Sequence, residues 1–376
     1  MNRPLERILR AIKSSDYRLP AIRLPSWTPA PRAGGRRNAA AGLSALCALC
    51  VHGAQSAETA AYTITKSIQL GSPERWDYLS FDNASHRVYV AHGTEITVVD
   101  GRSGEVVGRV GGLVGVNGVA IVPKIGKGYT DSRAKKAGIV FDLETLKVIK
   151  EVPADSGTDA VIYDSASKRV FIMNGSSHSI TAIDTATDTV AATIALAGVP
   201  EFAVADGNGN LYVNLADIRE ISRINTRSAR VTARWPISEC DHPHGLSMDS
   251  RTERLFSSCL NGKLLVVDSN VGHIVATLPI GQGSDATAFD PKTRLVFSSN
   301  GEGTLSVIRE EGPEKYVSLG DIRTQPLART MTVDPQTGRL YLVTADKVES
   351  GSNSAGSAGP PGVLPGSVTL LFLDRP

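Results

Sequence analysis

The chain has 376 residues, 41% of them hydrophobic, with a formal charge of +2, which is long enough for one large domain or two ordinary ones. The charge is uneven: the first 57 residues hold eight Arg and Lys13 against Glu6 and Asp16, a surplus of +7 that leaves residues 58–376 at −5. An acidic body of this kind argues against a general nucleic-acid surface.

Arg36 and Arg37 precede an apolar run at 39–51, and small residues follow it around 54–56. A basic flank, a short apolar core and a small-residue exit read as a secretory signal peptide with a basic leader, spanning 1–57. The run falls short of the roughly 18 apolar residues of a membrane-spanning helix. The mature protein is therefore expected to lack a membrane span and to be periplasmic or secreted from a bacterium. Cys47 and Cys50 leave with the signal, so Cys240 and Cys259 remain as an even pair. In an exported protein an even pair reads as a disulfide.

From residue 77 onward one unit recurs. A polar residue is followed by four mostly apolar or small ones and then Asp, as in Asp77-Tyr-Leu-Ser-Phe-Asp82. The pattern returns at Asp159–Asp164, Glu201–Asp206, His244–Asp249, Asp285–Asp290 and Arg329–Asp334, with a degenerate copy at Asn117–Val122. Steps between first positions are 40, 42, 42, 43, 41 and 44 residues. Each copy continues with a β-rich run such as Arg169-Val-Phe-Ile or Arg339-Leu-Tyr-Leu, then a run ending in Asp, then a fourth run. Short β-branched runs separated by Gly, Asp, Asn and Ser are strands joined by tight turns. Four strands per step of about 42 residues is one propeller blade, so an all-β, seven-bladed propeller is expected over 58–376. The chain stops after a third strand near 368–374. Residues 62–70 offer the missing fourth strand and are expected to close the ring by completing blade seven.

The units resemble the YVTN-repeat β-propeller family, which includes YncE-like exported bacterial proteins. The resemblance rests on Asp334-Pro-Gln-Thr-Gly-Arg-Leu-Tyr341 and Ile183-Asp-Thr-Ala-Thr-Asp-Thr-Val190. Lys127-Gly-Tyr-Thr-Asp131 departs from it in blade two. It implies the fold across nearly all of 62–376, and it brings single-strand nucleic-acid binding into view as a property of YncE-like relatives. Function is not implied by fold alone.

In a propeller the innermost strand begins at the channel mouth, so the first positions of the units converge on one axis. In ring order they are Asp77, Asn117, Asp159, Glu201, His244, Asp285 and Arg329, every one polar. One reading is a solvated channel. The other is a ligand site, in which Asn117, Asp159 and Glu201 supply oxygens for a calcium-like divalent cation and Arg329 clamps a carboxylate or phosphate. Such a mixed acid and amide channel is similar to that of propeller lactonases, which have six blades. For Cys240 two readings stand, a disulfide with Cys259 or a soft-metal triplet with His242 and His244. His92, His178, His242 and His273 read as loop residues, and Trp76 as core. Residues 346–366, rich in Gly, Ser and Pro, read as a flexible loop insertion within blade seven.

No nucleophile elbow, phosphate loop or zinc-protease helix is present. The expected function is a non-catalytic ligand-binding or protein-interaction module, monomeric, acting through its channel-mouth face on a small ligand or a protein partner. The alternative is a metal-assisted hydrolase or lyase of the propeller-lactonase or streptogramin-lyase kind.

Overall fold

A four-stranded sheet that is apolar on both faces can bury them only by stacking on further copies of itself. The computed structural model describes residues 62–348 and 362–376, and in it seven four-stranded antiparallel sheets stand as the blades of a propeller. The expected signal peptide at 1–57 and residues 349–361 of the insertion lie outside the described residues. The inner strands are Leu79–Asp82, Val119–Val122, Thr158–Asp164, Pro200–Ala205, Pro243–Asp249, Ser284–Asp290 and Thr330–Val333. Each meets the inner strand on either side, and the last meets the first. Among the described residues no helix is long and apolar enough to cross a membrane.

Ring closure follows the expected route. Thr63–Gln69 runs antiparallel to Thr369–Asp374, with Thr63 opposite Asp374 and Gln69 opposite Thr369. The closing strand itself is mostly exposed, but Tyr62 and Leu70 at its two ends are buried in the cores on either side of blade seven.

The described residues form seven apolar clusters, one between each pair of adjacent blades. The period of two along a strand explains why. In Arg169–Asn174, Val170 and Ile172 face blade two while Phe171 and Met173 face blade four. Central strands covered on both faces therefore read as unbroken apolar runs, whereas outer strands such as Val106–Val110 are largely exposed.

The polar positions of the repeat have local jobs. Asp82, Asp164, Asp249, Asp290 and Asp334 each accept a backbone N–H two residues on, at 2.8–3.3 Å. Each also accepts a Ser or Thr hydroxyl three residues on, at 2.6–2.9 Å, which closes the turn into the second strand. The Arg that opens the second strand donates to a backbone carbonyl in the next blade: Arg87 to Leu143, Arg169 to Thr226, Arg254 to Pro313 and Arg339 to Gly101. Blade two lacks that Arg, and Lys127 instead reaches Asp188 of blade three at 2.6 Å.

Cys240 and Cys259 form a disulfide with a Cα–Cα separation of 5.2 Å, inside the usual range of about 4.4–6.8 Å. The bond ties the approach to the inner strand of blade five to the end of its second strand. It also removes Cys240 from the alternative metal triplet. His92 departs from its loop reading: it ends the strand Arg87–His92, fully buried, with Nδ1 2.9 Å from Thr97 Oγ1. Trp76 lies in the core between blades seven and one, as expected. The described ends of the insertion pair with each other through Lys347 and Val363.

Candidate functional site at the channel mouth

The structure puts the seven first positions where the inner strands start. Glu201, His244 and Asp285 are second residues of their strands, as is Asp159, while Asp77, Asn117 and Arg329 lie just before theirs. Local sequence sets the spacing around His244. Gly245 follows it, and a Cβ there would sit 2.5 Å from the Thr287 backbone nitrogen on the next blade. Without a side chain the two inner strands approach closely enough for His244 to reach Asp285. Buried Asn214 holds the same segment from the other side, donating through Nδ2 to the carbonyls of His244 (2.8 Å) and Gly245 (3.2 Å).

Four consecutive first positions are joined. His244 Nδ1 lies 3.0 Å from Asp285 Oδ1 and 3.5 Å from Glu201 Oε1. Arg329 Nε lies 2.8 Å from Asp285 Oδ2, on the far side of that carboxylate. Glu201, His244 and Asp285 side chains are recessed, 13–21% exposed, whereas Arg329 at 43% stands at the rim. Tyr78 of blade one crosses the axis: its ring packs 4.5 Å from that of Phe202 in blade four, and its hydroxyl lies 3.5 Å from Glu201 Oε1.

The remaining positions are placed differently. Asn117 is fully buried and its amide is already used. Its Nδ2 donates to Asp131 Oδ2 at 3.0 Å and to the Thr158 carbonyl at 2.9 Å, and its Oδ1 accepts from Arg75 at 2.6 Å. Asp159 faces Arg133, 4.0 Å away. Among the His, Cys, Asp and Glu side chains of the described residues, Glu201, His244 and Asp285 form a group whose donor atoms all lie within 4.8 Å of one another.

Charge is crowded here. Burial pushes the Asp77 carboxyl well above the ordinary carboxylate range, and Asp285 adds to the shift against Arg329 and Arg75. Burial does the same to Asp159, reinforced by Asp77 and Glu201 and opposed by Arg133. Glu201 is raised by burial and by Asp285, with His244 pulling the other way. For His244 burial disfavours the imidazolium, yet the hydrogen bond to Asp285 and the charges of Glu201 and Asp285 outweigh it, so its pKa is raised. The site therefore holds its protons to higher pH than free side chains would.

Sequence reasoning missed Tyr78, Arg75, Arg133, Asp131 and Asn214. A signal existed for Tyr78. The second position of the unit is small in Gly118, Ala160, Gly245, Ala286 and Thr330 but aromatic in Tyr78 and Phe202, and the two large residues are the pair that meets across the axis.

No protein-family model matches the sequence, and no curated protein matches it. Solved structures match the fold. A chain of the Kuenenia stuttgartiensis hydrazine synthase is similar with a TM-score of 0.63 and 15% identity, covering 73% of this chain and 95% of that one. A chain of a mitotic checkpoint complex is similar with a TM-score of 0.67 and 12% identity, covering 84% and 94%. At such identities the likeness is one of fold.

Proposed function

We propose that this chain is an exported, monomeric propeller of the YVTN-repeat kind that binds a small polar ligand, or a narrow projecting group of a protein partner, at its channel mouth. The observation that carries this reading is the joined set Glu201, His244, Asp285 and Arg329, four side chains from four consecutive blades within 2.8–3.5 Å of one another in sequence along the ring. Recessed Glu201, its pKa raised by burial, can donate as well as accept hydrogen bonds, and Arg329 at the rim supplies a fixed positive charge for a carboxylate or phosphate. Tyr78 and Phe202 give the site an aromatic wall. The disulfide suits an oxidising compartment such as a periplasm or the exterior. Native mass spectrometry of gently purified protein, with thermal-shift screening of small organic acids, amines and sugars, tests the reading. A retained or stabilising ligand whose effect is lost in Asp285→Asn is the expected result. No retained ligand and no stabilising compound would remove the basis for it.

A second reading has one observation in its favour, the His244–Asp285 contact at 3.0 Å beside Glu201 and Tyr78, a general acid–base set at the mouth of a channel. A hydrolase or lyase of the propeller-lactonase or streptogramin-lyase kind would lose turnover in His244→Gln and on chelation. A wild type that turns over no lactone would eliminate it, and turnover that persists in both conditions would remove His244 and a metal from it.

A further inference from the structure

The geometry points to a single site for a divalent transition-metal ion of the zinc class, held by Glu201 Oε1, His244 Nδ1 and Asp285 Oδ1. The inference deepens the channel-mouth reading by naming an inorganic occupant, and it rests on that reading's placement of the site. Metal–ligand bonds of about 2.0–2.1 Å in a tetrahedron place neighbouring donors roughly 3.3 Å apart. The two distances from His244 Nδ1, 3.0 Å to Asp285 Oδ1 and 3.5 Å to Glu201 Oε1, bracket that edge. One donor from each of the three residues falls within 4.8 Å of the other two. The ligands come from three inner strands pinned to one another, with Gly245 and Asn214 fixing the backbone of His244.

The surroundings fit a bound cation. Arg329 pairs its charge with Asp285 through Oδ2, 2.8 Å from Nε, and leaves Oδ1 facing His244. The Tyr78 hydroxyl donates to Glu201 Oε1 at 3.5 Å and so helps to orient that carboxylate, and a water or a ligand atom would complete the coordination. Among the described groups, Asp77 and Asp159 hold their protons by burial and a bound cation would favour their release, while Arg75, Arg133 and Arg329 oppose a cation. An imidazole nitrogen with two carboxylates is a borderline donor set. Calcium prefers six to eight oxygens, and the Asn117 amide is already committed to Asp131, Thr158 and Arg75. The competing state is a protonated His244 paired with the same two carboxylates. Metal binding must expel that proton, so affinity should rise with pH as His244 deprotonates.

The test is calorimetric titration of zinc chloride into chelator-stripped protein at pH 7.5, together with cobalt(II) substitution read by visible absorption. One equivalent of zinc is expected, with a cobalt spectrum of a four- or five-coordinate site. Glu201→Gln and His244→Gln should each weaken binding at least 10-fold while circular dichroism reports an unchanged fold. His242→Gln, which alters the exposed Asp241–His242 pair, should leave binding intact, and millimolar calcium should not compete. Absence of binding, or binding equal in the wild type and in both site variants, overturns the metal assignment. If zinc does not bind while an organic ligand is still retained in an Asp285-dependent way, the metal inference fails and the binding-module reading stands. If neither binds, both fail.

Discussion

Tyr62 is the anchor through which ring closure can be measured. Its side chain is 3% exposed, its ring meets Phe297 edge-on at 5.3 Å, and its hydroxyl donates to the Gly338 carbonyl at 3.0 Å. Burial pushes the phenol up to about 12, so it remains a donor at any working pH. Tyr62→Ala removes a large side chain from the cluster between blades six and seven, and truncations of this size cost about 3–5 kcal/mol. Tyr62→Phe keeps the ring but strands a buried carbonyl, for about 1–2 kcal/mol. With an unfolding entropy of roughly 2.1 cal/mol/K for each of roughly 300 residues, 4 kcal/mol lowers Tm by about 6 °C. Differential scanning calorimetry of the two variants should therefore show graded losses, Ala well beyond Phe, in a transition that stays cooperative. A Tyr62→Ala protein melting within a degree of the wild type would mean that the first strand does not close the ring.

Replacing both Cys240 and Cys259 by Ala opens a loop with a sequence separation of 19, which in the chain-entropy model costs about 3 kcal/mol. Denaturant titration showing a loss below about 1 kcal/mol would count against the staple. The channel acids also set a pH dependence. Asp77, Asp159 and Glu201 in the folded state keep their protons above the ordinary values of 3.8 and 4.5, and His244 keeps its own above 6.5. Over that window the folded chain binds more protons than the unfolded one, so stability falls as pH rises from about 5 to 8. The acids with lowered pKa values, such as Asp100 and Asp142, lose their contribution only below the ordinary carboxylate range, while buried His92, its pKa lowered by burial, opposes the decline below about 6.5 and is outnumbered by the four raised groups. In the presence of chelator, Tm should decline across this window, and Asp77→Asn and Asp159→Asn should each flatten the decline. A Tm that is level or rising from pH 5 to 8 in the wild type would refute the assignment.

The blades were legible because each repeated residue answers to a neighbour close in sequence or one repeat away. Asp290 shapes the turn that follows it, and Arg339 reaches the next blade, so both recur at fixed spacing. The seven polar first positions were equally legible as a set, being one structural position repeated. What spacing does not carry is the direction in which a side chain turns. Asn117 spends its amide on Asp131 of its own blade and on the Thr158 carbonyl of blade three. Glu201 turns toward His244 on the next blade, its Oε1 3.5 Å from the imidazole Nδ1. Tyr78 was harder to read for a different reason: it shares the second position of the unit with Phe202, but the two lie three blades apart, and the repeat pairs only neighbouring blades.

The order in which the chain is made gives the closing strand an awkward history. Thr63–Gln69 is among the earliest parts of the propeller to be synthesised, while its partner Thr369–Asp374 is the last. At translation rates of roughly 5–20 residues per second, about 300 intervening residues take about 15–60 s. Throughout that interval the first strand has an unpaired edge and the seam has no final blade to close on. The strand's own composition moderates the hazard: Thr-Ile-Thr-Lys-Ser-Ile-Gln is polar at every position but Ile64 and Ile68 and leaves few apolar atoms for a stray partner. Its hold on the finished ring falls instead to Tyr62 and Leu70, one at each end, which can be buried only once blades six, seven and one have assembled around them.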